Sequence, residues 1–587
     1  MTAAPATMPD ARPDAHGERP VIGIVLGLLR QFRGRAVAVL ALIFATALLE
    51  GVTVGMFLPL VASITGDLAA DGGGAVALFA ALVAKVPEDA RLAVFGLIFI
   101  AILLLKGAAM VAQANASYRF IYAIRAHWVD RILRTYLAGS LLFMRTRSQG
   151  ELVNDLVQET FRSVRAIHDA LNLASRALTI VLVVLVMLLV DWRITLLAAA
   201  VGTVGYLSVG GIIRRGSERL GRRMLHYNRC ISGDAMQALS GLREIKLYGV
   251  QDRTMARFNA HVRESHQVQT LVHTLTQVPS AVAEVLLGVI LIAVLAFVTI
   301  GLGVRPVDYL PQIGVFALAG IRVASNLSFL VQKRLHFGTF VASIRAIHGM
   351  IDSATVPAES GFGSARPGGI GSGIRFRNVA FSYSPERRIL DGLDLDIAAG
   401  QVTALVGPSG SGKSTIVDLL AGFYVPEAGS IEVDGRPLAD LDLQHWRHAI
   451  GYISQEPFLF ATTIRDNIVL GAPGIDDAAL AAAAAAAHAD GFIAGLADGF
   501  DTELGEGGFG LSVGQRQRIA VARAIVRRPA LYIFDESTSG LDPEAAAAIE
   551  QTMRALARAA TVILITHRES TAAIADRVYH IRDGRAA

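Results

Sequence analysis

Lys413 and Ser414 close the run Gly407-Pro408-Ser409-Gly410-Ser411-Gly412-Lys413-Ser414-Thr415, an order of residue types suited to holding a phosphate chain. The glycines let the backbone wrap close to phosphate oxygens, and successive N–H groups then face the negative charge. The lysine reaches the outer phosphates, and the serine hydroxyl offers a ligand to Mg²⁺. A second pair, Asp535-Glu536, ends the apolar run Leu531-Tyr532-Ile533-Phe534. The first acid is placed to hold Mg²⁺ through water, and the second to polarise an attacking water. Alone, such a pair is a weak signal, because apolar strands often end in acids. Beside a phosphate-binding loop it reads as the hydrolytic half of one site.

These residues need elements that hold them. Val402–Val406 is strand-like and Ile416–Leu420 helix-like, so the glycine-rich run sits between a strand and a helix, as nucleoside triphosphate binding requires. From Ile374 onward short β-rich runs alternate with helices, the mark of an α/β domain. Within it, Leu511-Ser512-Val513-Gly514-Gln515-Arg516-Gln517-Arg518 places Ser512 and the amide of Gly514 at a helix start, a second phosphate cradle. Ala481–Ala487 is low in complexity and reads as helix without chemistry.

The rest of the chain is of another kind. Its 587 residues exceed one core, 53% are apolar and only 18% charged, a balance that points to membrane segments. The net charge of +4 fits basic cytoplasmic loops, and no nucleic-acid partner is expected. The single cysteine, Cys230, excludes an intramolecular disulfide. Residues 1–20 read as a disordered cytoplasmic tail, and Val21–Phe32 as an amphipathic stretch at the membrane surface. A membrane domain is expected over 21–351, with spans at roughly 36–64, 92–111, 173–190, 194–213, 281–302 and 313–331. Arginines at 30, 33 and 35, again at 214–223, then Lys333 and Arg334, put both ends of the set in the cytoplasm. Asp191-Trp192-Arg193 is short enough to force an outer hairpin. The stretches 116–172 and 214–278 read as helical extensions into the cytoplasm, with Leu242–Leu247 a short transverse helix. Residues 352–373 read as a linker and 374–587 as the nucleotide-binding domain.

With these motifs together the chain resembles an ABC exporter half-transporter over nearly its whole length. The expected fold is an all-α six-span membrane domain followed by an α/β nucleotide-binding domain. The resemblance implies that the Ser512–Gly514–Gln515 cradle closes on ATP of the opposite subunit, hence a homodimer, with a heterodimer as the alternative. It also implies that Tyr383 stacks on adenine, that Gln455 senses Mg²⁺ and water, and that His567 contacts the γ-phosphate. Catalysis would then rest on Glu536, His567 and Gln455, and Mg²⁺ on Ser414, Gln455 and Asp535. Ser539-Gly540-Leu541-Asp542 resembles the loop that communicates across the dimer, and Thr502–Glu506 the loop that meets the coupling helices. Two positions depart from the family pattern: Val513, where glycine is usual, and Gly507, where arginine is common.

Ionisable residues inside spans are costly and are functional candidates by default. Glu50, Lys106, Glu284 and Arg322 fall there, either lining a cargo cavity or pairing between helices. The implied activity is ATP-driven export or flipping of an amphipathic cargo, a processed peptide or a lipid-linked molecule, across the inner membrane. A nucleotide-gated channel is an alternative on the same scaffold. A soluble cassette ATPase acting on nucleic acid is opposed by the spans.

Overall fold

The computed structural model describes residues 21–65, 85–145, 149–301, 309–334, 349–351, 362–366, 368–384, 387–538 and 543–586, with a few single residues between. The chain packs as two units, residues 1–134 with 149–355, and residues 135–148 with 356–587. The tail 1–20 and the Ser539–Asp542 loop lie outside the described residues.

The first unit is helical. Its long helices are α1 (Arg33–Gly55), α2 (Glu88–Ala138, whose last residues group with the second unit), α3 (Thr160–Val190), α4 (Trp192–Ser240), α5 (Gln251–Ala296) and α6 (Leu310–Arg334). Among the described residues five helical stretches are long and apolar enough to cross a bilayer: Arg33–Ile64, Glu88–Ala138, Gly150–Val190, Gln251–Gly301 and Leu310–Leu330. The expected fourth span opens α4, where the described apolar portion is the shorter Trp192–Thr203. The first span is not one helix. It breaks at Met56 and resumes as Phe57–Thr65, with Pro59 in the first turn, where a missing N–H leaves no intrahelical bond unmade.

Asp191 alone separates α3 from α4. Its backbone is extended, and its carboxylate accepts hydrogen bonds from the N–H groups of Arg193 (2.8 Å) and Ile194 (3.2 Å), capping α4. The expected short helix Leu242–Leu247 is present after Gly241.

Packing of this unit relies on small residues. Gly51 on α1 faces Leu182 of α3, and a Cβ at Gly320 on α6 would come within 2.6 Å of a Leu287 methyl on α5. Val54, Leu58, Val183, Met187, Val315 and Phe316 form part of its buried core. Leu97, Leu104 and Val111, one heptad apart on α2, stay at least 71% exposed. That apolar face is suited to lipid, not to water.

The second unit holds two sheets. One is antiparallel, β2-β1-β4-β5, built from β1 (Gly373–Ser384), β2 (Arg387–Ala398), β4 (Ala428–Val433) and β5 (Arg436–Pro437). The other runs β10-β9-β3-β8-β7-β6, from β3 (Val402–Val406), β6 (Ile450–Ile453), β7 (Leu531–Asp535), β8 (Thr561–Thr566), β9 (Arg577–Arg582) and β10 (Arg585–Ala586). β6, β7, β8, β3 and β9 pair in parallel, and every residue of β3, β7 and β8 is buried, which is why these strands read as unbroken apolar runs. Helices α7 (Lys413–Leu420) and α8 (Val513–Val526) follow the glycine-rich loop and precede β7 respectively. Ala481–Ala487 falls almost wholly in the helix Asp477–Ala486.

Described residues within the stretch expected as a linker are bonded into this unit. Arg447 makes two hydrogen bonds to the Glu359 carboxylate, Ala365 pairs with the Asp440–Asp442 turn, and the N–H groups of Gly371, Ser372 and Gly373 converge on Asp434. Glycine and proline content shows irregular backbone; it does not show whether that backbone is docked.

Candidate functional site

Four neighbouring parallel strands deliver the site. In the order β3, β8, β7, β6 their C-terminal ends lead into the phosphate-binding loop, His567, Asp535-Glu536 and Gln455. Ligands of open α/β sheets gather at this edge.

The loop after β3 has the shape of a phosphate cradle. Gly410 and Gly412 adopt φ of 79° and 105°, the left-handed region that favours glycine. A side chain at Gly407 would strike the Ile581 carbonyl oxygen, and one at Gly412 would lie 2.7 Å from a Leu390 methyl. Lys413 is buried, and its Nζ donates to the carbonyls of Gly407 (2.8 Å) and Pro408 (2.9 Å), so the ammonium lies along the inside of the loop. Burial lowers its pKa, and the carboxylates of Glu536 and Asp535 oppose that. Among the described residues Ser411 Oγ, buried in the loop, has no hydrogen-bond partner. Ser409 and Ser414 are exposed, while Thr415 is buried on the first turn of α7.

The hydrolytic candidates converge on one atom. Gln455 Nε2 donates to Glu536 Oε2 at 3.1 Å, and His567 Nδ1 lies 3.5 Å from the same oxygen. Glu536 has φ 46°, an unfavourable conformation for a residue with a Cβ, held by its N–H bond to Ile565 O on β8 (2.9 Å). Asp535 is buried and accepts a hydrogen bond from Tyr452 OH at 2.9 Å. Burial pushes its carboxyl up, with Glu536 adding to the rise and the Tyr452 bond and Lys413 working against it. Tyr452 was missed from sequence. Register alone brings it there, since Tyr452 lies opposite Ile533 in the β6–β7 ladder.

The residues expected to form a second phosphate cradle stand at the start of α8. Ser512 caps α8 and exchanges hydrogen bonds with Gln515: Ser512 Oγ accepts from Gln515 N (3.2 Å) and Gln515 Oε1 accepts from Ser512 N (2.8 Å). The Gln515 side chain therefore shapes the helix start. Val513 is half exposed at the first helical position, followed by Gly514. Gln517 of α8 donates to the Ser454 carbonyl at 3.2 Å and so ties this helix to the Gln455 loop.

Tyr383 is half-buried on β1, with its hydroxyl 3.0 Å from Thr415 Oγ1 and 3.5 Å from Asp418 Oδ2. The Thr502–Glu506 loop is held by a Leu504 N–H bond to Thr462 O at 3.0 Å.

In the helical unit, three of the four charged candidates meet. Lys106 of α2 forms an ion pair with Glu50 of α1, and Arg322 Nε of α6 lies 2.9 Å from the other Glu50 oxygen, off the hydrogen-bonding line. Glu50 and Lys106 are buried, whereas 42% of the Arg322 side chain is exposed. Glu284 is apart from this cluster, exposed on α5. A cavity of about 390 Å³ opens between α3, α4, α5 and α6, lined almost entirely by apolar side chains such as Met187, Leu286, Phe316 and Leu327.

Residues 390–539 match the family model for an ABC transporter, and residues 40–308 the model for an ABC transporter transmembrane region. An ATP-dependent lipid A-core flippase of Ralstonia nicotianae is 30% identical over 491 residues, 81% of each chain. This chain belongs to the ABC transporter family. The heterocyst differentiation ATP-binding protein HepA of Nostoc is 30% identical over 578 residues, 96% of this chain and 92% of that one. The solved structure of a bacterial Atm1-family ABC exporter with ATP bound superposes with a TM-score of 0.72 at 26% identity, covering 96% of this chain and 95% of that one. The transporter is thus an exporter-type half-transporter, a multi-pass membrane protein that binds ATP and couples its hydrolysis to transport.

Proposed function

We propose that this ABC exporter works as a homodimer in the inner membrane, with its ATP-binding units and both termini in the cytoplasm. Its cargo is an amphiphile with a lipid-type body and an anionic head. The observation that carries the cargo reading is the Glu50–Lys106–Arg322 cluster, two cations against one carboxylate on three apolar helices. An uncompensated charge at that depth costs several kcal/mol, and an anionic headgroup offsets it. Arg322, the exposed member, is the group that meets the headgroup, and the apolar cavity between α3 and α6 takes the acyl part. The relatives named as lipid A-core flippases support a lipid-type cargo.

At the nucleotide site each side chain has a part. The Gly407–Thr415 loop and Lys413 bind the phosphates, Tyr383 stacks on the base, and Ser512 and Gly514 cap the ATP held by the other copy. The oxygen donors of Ser414, Asp535 and Gln455 suit a hard divalent cation, and Mg²⁺ bound there supplies charge neutralisation at the phosphates. Glu536 orients and polarises the attacking water, while Gln455 and His567 hold its Oε2 in place.

The test is ATPase activity of the purified protein in lipid nanodiscs, with Glu536→Gln as the inactive control. An anionic lipid-linked phosphate, a zwitterionic lipid and a cationic amphipathic peptide are compared. Stimulation by the anionic amphiphile alone is expected. Stimulation by the peptide alone overturns the cargo assignment, and absence of Mg²⁺-dependent hydrolysis in the wild type overturns the homodimer.

A further inference from the structure

Residues 135–148 interrupt the helical unit and pack with the ATP-binding unit. Their short helix, Leu141–Arg145, rests Leu141 and Leu142 against the core beneath β1 and α7. It ends in Arg145, whose guanidinium carbon lies 5.5 Å from the ring centre of Tyr383 and 5.8 Å from that of Tyr424. Those two rings stand edge to face at 86°, so the guanidinium is seated in a corner with an aromatic on each side. Asp418 of α7 anchors it by an ion pair at 3.5 Å and also meets the Tyr383 hydroxyl. Burial pushes the Asp418 carboxyl up, and Arg145 is the charge that opposes this.

Tyr383 needs such support. The β1–β2 pairing is irregular on both sides of Tyr383, with register shifts between Phe381 and Ser382 and between Ser382 and Ser384, so the ladder does not fix its ring. The ring is instead positioned by Thr415, Asp418, Phe381, Tyr424 and Arg145. Of these, Arg145 alone comes from outside the continuous ATP-binding sequence. We propose that Arg145 is a positioning residue for nucleotide binding, holding Tyr383 ready for the base, and that ATP affinity therefore depends on how the 135–148 segment is seated. By the same contact, the seated base reports back to that segment without passing through the phosphates.

The inference rests on Tyr383 as the base platform, and one set of variants separates the two ideas. Equilibrium ATP binding and steady-state KM and kcat are measured on the full-length protein for Arg145→Ala, Tyr383→Ala, the double variant and Asp418→Asn. Arg145→Ala is expected to raise the ATP Kd and KM about three- to tenfold with a much smaller change in kcat, from the loss of a part-buried cation–π seat. It should add nothing in the Tyr383→Ala background. Asp418→Asn, which frees the guanidinium and leaves both rings intact, should weaken ATP in the same direction. If Tyr383→Ala leaves ATP binding unchanged, the platform reading falls. If Tyr383→Ala weakens ATP but Arg145→Ala does not, or tightens it, or the two losses add in full, the positioning role falls.

Discussion

Glu536 and Gln455 meet through a single carboxylate oxygen, Oε2, at 3.1 Å, and His567 Nδ1 lies 3.5 Å from that same atom. That oxygen of the carboxylate is thereby oriented by two neighbours that follow β6 and β8. The left-handed backbone of Glu536 is what turns this side chain out of the β7 row, where Asp535 continues the buried strand.

Replacing Glu536 by glutamine keeps the size and the contact with Gln455 but removes the negative charge proposed to polarise water. Hydrolysis is expected to fall about a hundredfold or more. ATP binding, which we assign to the Gly407–Thr415 loop and Lys413, should survive. Single-turnover hydrolysis and equilibrium binding on the same preparation check both halves. Retained turnover would move the base elsewhere.

The phosphate loop offers a graded test of geometry. Gly412→Ala meets a Leu390 methyl at 2.7 Å and must also hold φ 105°, whereas Gly410→Ala at φ 79° finds open space. Both carry backbone strain of about 1–3 kcal/mol. Only Gly412→Ala adds a clash at the base of the cradle, so it should lose ATP binding while Gly410→Ala merely weakens it. Equal losses in a titration would mean that strain, not packing, dominates.

What was legible in the sequence follows from this architecture. Asp535 ends an apolar parallel strand, Glu536, Gln455 and His567 follow such strands closely, Lys413 closes the loop after another, and such strands announce themselves as unbroken hydrophobic runs. The start of α8 at Ser512 was legible too, whereas Asp191 was read only as part of a hinge and its capping role emerged with the structure. Contacts that depend on register or on distant segments were not. Tyr452 reaches Asp535 across a ladder, and Arg145 reaches Asp418 over a long stretch of chain. The ion pairs of Glu50 were open in the sequence, because helical periodicity says which face a residue shares and not which helix lies opposite.

The Glu50 cluster distinguishes structure from cargo recognition. Glu50→Gln leaves Lys106 buried without its partner, and removing one member of a buried pair costs about 3–5 kcal/mol. The variant should unfold at lower temperature in detergent. Arg322→Gln leaves the neutral Glu50–Lys106 pair intact and removes the surplus charge, so stability should hold or rise while stimulation by the anionic amphiphile is lost. A stable Glu50→Gln, or an Arg322→Gln protein still stimulated, contradicts the assignment of roles.

Asp434 gives a pH-dependent prediction in the ATP-binding unit. It occupies a left-handed turn position, φ 51°, and accepts the N–H groups of Gly371 (2.9 Å), Ser372 (2.7 Å) and Gly373 (2.9 Å), together with the Ser372 hydroxyl. Burial works to raise its pKa, but these bonds outweigh that and hold the carboxyl down at about 2. A carboxyl depressed on folding stabilises the folded state above its unfolded pKa, near 3.8, and that contribution fades as pH falls toward about 2. Because Asp434 is exposed, solvent screening reduces the effect to about 1 kcal/mol. Asparagine tolerates the left-handed turn and keeps one acceptor, so Asp434→Asn isolates the charge. Its unfolding midpoint in detergent should lie below the wild type by a constant margin above pH 5, and the two curves should converge as pH drops below 4. A margin that persists unchanged at low pH would show that the turn, and not the ionised carboxylate, docks residues 371–373.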